Sequence, residues 1–203
     1  MARKAEQINK KTIKALTQAM EELGQKYSIR VGIQGSKAYE THKDSKLTNA
    51  QLGAIHEFGA VINVTDKMRG FFRKEFGINL KKSTTQIVIP ARSFLRETLL
   101  SKEGKERLMY AVGLSSDNAE LNVEIFKLGL MKNSGFMDEL AEIIGANAVH
   151  MVETSFEVGG YPVAWQPISN LTRATRKNDP TSKPLTDSGD LKHTITAEVK
   201  KSG

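Results

Sequence analysis

Four histidines, His42, His56, His150 and His193, are the side chains of this 203-residue chain with the widest chemical repertoire. None stands three or four residues from another, the spacing that places two metal ligands on one helix face. His56-Glu57 opens like a zinc-protease helix, but the second histidine would fall at position 60, which is Ala60. His150 and Glu153 share a helical face and amount to half of a carboxylate-bridged metal site. No second set of histidine and carboxylate is evident. The chain has no cysteine, which removes disulfides, thiolate zinc sites and a cysteine nucleophile together. No metal and no other cofactor is expected.

Phosphate chemistry fares no better. The chain lacks a P-loop, a GxGxxG turn and a GxSxG nucleophile elbow. Val31-Gly-Ile-Gln-Gly-Ser36 carries two glycines after a strand pattern, yet polar loop residues follow rather than a helix pattern. A nuclease would need carboxylates holding magnesium beside a basic groove. Asp179, Asp187 and Asp190 do lie near Arg173, Arg176 and Lys177, and residues 170–203 carry a net charge of +3. Turn and cap roles account for these aspartates, since Asp179 precedes Pro180 while Asp187 and Asp190 flank Ser188-Gly189. The basic residues remain candidates for touching phosphate or an acidic partner. No catalytic constellation emerges, and the chain reads as a protein that is not an enzyme.

Positioning these residues falls to an ordinary globular composition, 39% hydrophobic and 26% charged, with a net charge of +7. Such a charge steers a protein toward nucleic acid or acidic partners without making it a sequence reader. Aromatic residues make up 6% with a single Trp, too few for a base-stacking platform. No run approaches the roughly eighteen apolar residues of a membrane span, and the N-terminus lacks a signal-peptide core.

Apolar residues at three- and four-residue steps predict helices over 5–25, 49–58, 67–76, 92–100, about 118–130 and 137–155. Alternation predicts strands at 27–33, 61–64 and 86–90, with a last one near 191–199. Thr48 and Thr65 or Asp66 stand as helix caps, and Gly59 and Gly77 as stops. Residues 34–46 read as an exposed loop. The sum is an α+β fold: a single domain with a small, mainly antiparallel sheet packed by several helices, plus an extended C-terminal arm. Residues 1–158 form the body and 159–190 the arm or long loop. Residues 191–203 form a strand returning to the body or to a neighbour. Trp165, between Pro162 and Pro167, either anchors this arm to its own core or docks on another subunit.

Four segments, in order, resemble the virion-morphogenesis or tail-completion proteins of Mu-like and related tailed phages. They are Leu47-Thr-Asn-Ala-Gln-Leu-Gly-Ala-Ile-His-Glu-Phe-Gly59, Ile89-Pro-Ala-Arg-Ser-Phe-Leu95, Trp165-Gln-Pro-Ile-Ser-Asn-Leu-Thr172 and Pro184-Leu-Thr-Asp-Ser-Gly-Asp-Leu-Lys-His-Thr-Ile195. Ser93 stands where that family often has Pro, and Ile168 where it has Leu. The resemblance implies a structural subunit of a neck or tail-end ring, sixfold and homo-oligomeric, that completes the tail or joins it to the head. It implies neck, connector and tail-tube proteins as partners, non-specific contact with DNA in a lumen, and no membrane. Its place would be the virion, after assembly in the bacterial cytoplasm. The segments nominate His56, Phe58, Gly59, Pro90, Arg92, Phe94, Trp165, Pro167, Leu185, Gly189 and Leu191 as interface or structural-motif residues. Phe58 is expected to lock its helix to the core and Gly59 to form a left-handed cap. The alternative is a phage DNA-binding or DNA-processing protein, resting on the charge and on Arg173, Arg176 and Lys177.

Overall fold

The computed structural model describes residues 21, 23–42, 46–111, 135–176, 183–186 and 188–202. The helix expected over 118–130, most of that over 5–25, and Lys177 lie outside them. The fold is α+β, with small antiparallel sheets packed by several helices. In chain order the elements are β1 (Tyr27–Ile33), α1 (Gly35–Tyr39), α2 (Asn49–Phe58), β2 (Ala60–Asn63), α3 (Asp66–Phe76) and β3 (Gln86–Ile89). Then come α4 (Arg96–Leu100), α5 (Lys102–Ala111), α6 (Phe136–Val158), α7 (Asn170–Thr175), a 3₁₀ turn (Lys192–Thr194) and β4 (Ile195–Lys201).

Two compact units alternate along the chain. Described residues of Met1–Gly32, Leu99–Met151 and Thr196–Gly203 form one; those of Ile33–Thr98 and Val152–Ile195 form the other. In the first, β1 pairs with β4. Ser202 N–H donates to Lys26 O at one end and the Thr196 hydroxyl to Gly32 O at the other, so the strands run antiparallel. The N-terminal part of α6 lies on this pair. Its Gly145 is the point of approach, where an added Cβ would stand 3.1 Å from Ala197 Cβ and 3.6 Å from Ile29 Cγ2. Leu140 packs with Phe136, Met137 and Ile144, an apolar stripe at helical spacing, and with Leu23 from outside the helix. Tyr27 donates to Asp138 at 2.6 Å, and Lys201 reaches the same carboxylate at 2.7 Å.

The second unit centres on aromatic rings. Phe94 and Phe156 are fully buried with centroids 5.1 Å apart, and Trp165 meets Phe156 edge-on at 5.7 Å. Trp165 thus packs against an aromatic ring of its own chain. β2 and β3 pair antiparallel in the register Ala60↔Ile89 to Asn63↔Gln86.

Several boundaries differ from the sequence expectation. Residues 34–46 include the short helix α1. The helix expected from Arg92 begins at Arg96, because residues 93–96 turn around a buried carboxylate. Residues 170–175, within the segment expected as an arm, form α7, capped by the Ser169 hydroxyl. Ile168 and Leu191 are buried.

Candidate functional site

The four motif segments meet in the second unit around one open cavity of about 290 Å³. Helix α2 brings His56 and Leu52 to it. It is held in place by a Thr48–Gln51 capping box at its start. Arg92 enters from the turn after β3, its backbone N–H donating to His56 O at 2.7 Å. Ile168 and Thr172 come from the third segment, and Leu185, Ser188, Gly189 and Leu191 from the fourth. His42, Thr175 and Arg176 complete the wall.

Arg92 is 6% exposed, an unusual place for a guanidinium. Its Nε and Nη2 both donate to Gln166 O at 3.3 Å. Burial, and then the charge of Arg176, lower its pKa from the ordinary value, but an arginine keeps its charge. Burial pushes His56 down to about 4, with Arg92 and then His42 adding to the effect. The imidazole is therefore neutral at pH 7, and its buried Nδ1 has no hydrogen-bond partner among the described residues. Leu185 stands at φ 62, a left-handed conformation that strains a branched side chain.

Glu57, next to His56, builds the frame. Its carboxylate is 4% exposed and accepts from Ser93 Oγ at 2.6 Å, Leu95 N at 3.0 Å, and Arg96 N and Nε at 3.1 Å each. Burial alone would raise this carboxyl, but the donated hydrogen bonds outweigh it and hold the pKa below the usual range. The sequence carried no local signal for the burial of this residue.

The remaining nominated residues scatter. Phe94 and Trp165 belong to the aromatic core. Pro90 is half-buried after β3, while Pro167 and Arg173 are exposed and do not line the cavity. Phe58 does not lock α2 to the core: it is 63% exposed, with the Arg96 guanidinium 4.6 Å above its ring. Gly59 has φ 77 and ψ 171, positive but extended, rather than the left-handed cap expected. Among the described residues no group of three or more His, Asp or Glu side chains could hold a metal ion, and no helix is long and apolar enough to cross a membrane. No family model matches this chain, and no curated protein or solved structure does either.

A histidine held neutral by the fold makes stability depend on pH. Between about 4 and 6.5 the unfolded chain binds a proton at His56 that the folded chain does not, so stability rises with pH across that window. It is complete above 6.5 and lost as pH falls through about 4, a span worth roughly 3 kcal/mol. Urea denaturation across this range should show the loss in the wild type and a flatter profile in His56→Gln.

Proposed function

We propose that this chain is a structural, non-enzymatic subunit of a tailed-phage neck or tail-end ring, completing the tail or joining it to the head. The class comes from the resemblance of the four segments. The observation that carries the subunit reading is the excursion from Ala60 to Ile89, in which no residue is buried. It is nevertheless ordered by its own bonds. β2 pairs with β3, Thr65 caps α3, and Arg69 donates to the carbonyls of Leu80, Lys81, Lys82 and Thr84.

Its surface is apolar and basic at once. Val61 and Val88 oppose each other across the ribbon, 60% and 65% exposed, and Phe71 is 54% exposed on α3. Six lysines and arginines face two acids, Asp66 and Glu75, a net +4 over residues 60–89. Soluble monomers rarely leave such a surface open, whereas a neighbour in a closed ring covers it. Native mass spectrometry of the purified protein should give a ring, with six copies expected from the family. Val61→Asp with Val88→Asp should leave folded monomers. Purified virions should contain the chain, and a phage lacking it should yield unjoined heads and tails. A wild type that stays monomeric at high concentration, or joined virions without the protein, would overturn the reading.

A further inference from the structure

The cavity has a chemistry that ring assembly does not use, and that chemistry is the same whether or not the chain forms a ring. Its charged side holds two guanidiniums, Arg176 and Arg92; Arg92, almost wholly buried, sends two of its donors to a single carbonyl at 3.3 Å, long for such bonds. A guanidinium offers five donors in a planar fork. Beside Arg92 is the His56 ring, whose buried Nδ1 has no hydrogen-bond partner among the described residues. None of the described lining residues is a carboxylate. The opposite character comes from Leu52, Ile168 and Leu191, joined by Leu185 in its strained conformation. Strain of that kind in a cavity wall is typical of binding sites.

A phosphodiester would match the charge and leave the apolar wall uncovered, and about 290 Å³ is small for a whole nucleotide. A carboxylate carried beside an aliphatic side chain matches both halves, because its two oxygens fit the arginine fork. We propose that this cavity receives a carboxylate of a partner polypeptide, held by Arg92 and His56, with an adjoining apolar side chain seated against Leu52, Ile168 and Leu191. The carboxylate is either a chain terminus or an acidic side chain.

The test uses the full chain and follows the His56 ring by NMR during titration with four small probes. N-acetyl-leucine presents a terminal carboxylate, and N-acetyl-leucyl-glutamic acid α-amide, with its free γ-carboxylate, presents a side-chain one. N-acetyl-leucinamide has no carboxylate, and inorganic phosphate has no apolar part. One or both carboxylate probes should bind saturably at millimolar concentration and raise the His56 pKa from about 4 toward 6.5, the tighter probe identifying the source. The leucinamide should leave that pKa where it is, and phosphate should bind at least about tenfold more weakly. Arg92→Lys, which keeps the charge but loses the fork, should weaken the carboxylate probes about tenfold. No saturable response to either carboxylate probe would overturn the proposal, as would an equal response to the leucinamide. Phosphate binding as tightly as the carboxylates would assign the cavity to phosphate instead. The wild-type titration decides these outcomes even if the arginine variant fails to fold, and none depends on oligomeric state.

Discussion

Replacing Glu57 by Ala should lower the free energy of unfolding by at least about 3 kcal/mol, because it strips a common acceptor from four donors in a buried turn. The size follows from which donors are left behind. Ser93 Oγ and the backbone N–H groups of Leu95 and Arg96 lie where residues 93–96 wrap around the carboxylate, and Ser93 is itself buried. Arg96 is different. Its side chain is 54% exposed, so its ion pair with Glu57 is largely screened. Arg96→Ala should therefore cost under about 1 kcal/mol even though the salt bridge is lost, and a result equal to Glu57→Ala would show that the ion pair, not the turn, matters. Acid sensitivity gives a second readout. The folded pKa of Glu57 is depressed, so its contribution is present above 4.5 and is lost as pH falls through the lower folded value. Glu57→Gln should be less stable at neutral pH and should lose less on acidification. Urea denaturation at neutral and acidic pH checks both arms.

Local chemistry made most of the second unit's elements legible. Thr48 with Gln51 three residues on, Thr65 before an amphipathic run, and Gly77 after it are stop and start signals that act over one helical turn, and the structure follows them. The long spacing of Met137, Leu140, Ile144, Ala148, Met151 and Ser155 likewise marked α6. α5 was not legible, since Lys102–Ala111 buries a glycine, Gly104, and offers no apolar stripe to read. α7 is too short, at six residues, for periodicity to register, and only Ser169 announces it. The cavity is a tertiary object. His56, Arg92, Ile168 and Leu191 were each visible in their own segment, but their meeting depends on hydrogen bonds such as Arg92 N–H to His56 O. Nothing in a sequence marks Arg92 as a buried arginine, because the type is ordinarily exposed. Phe58 went the other way. An aromatic at a helix end suggests a core anchor, and here it is the neighbouring Glu57 that turns inward.

Gly59→Ala should be nearly as damaging as loss of Glu57, by at least about 3 kcal/mol, and for a different reason. At φ 77 and ψ 171 the backbone occupies a region essentially reserved for glycine. A Cβ there would also stand 2.8 Å from Ile89 O and 2.9 Å from Ala91 N. Both obstacles are main chain, so no side-chain rotation relieves them. Gly53→Ala provides the contrast within the same unit. Its Cβ would approach Ile33 Cδ1 at 2.3 Å, but that atom is the end of a flexible side chain, and helix α2 gains from alanine in its interior. Gly53→Ala should thus cost much less, and equal costs at the two positions would mean that the backbone clash is relieved by movement of residues 89–91. That movement would itself be detectable. Arg92 follows Ala91 directly and holds its place through the bond to His56 O, so displacing the turn withdraws the guanidinium from the cavity. Removing the Arg92 charge from beside His56 takes away one of the causes that depress its pKa. Gly59→Ala should therefore raise the His56 pKa as well as lower stability, whereas Gly53→Ala should leave that pKa unchanged.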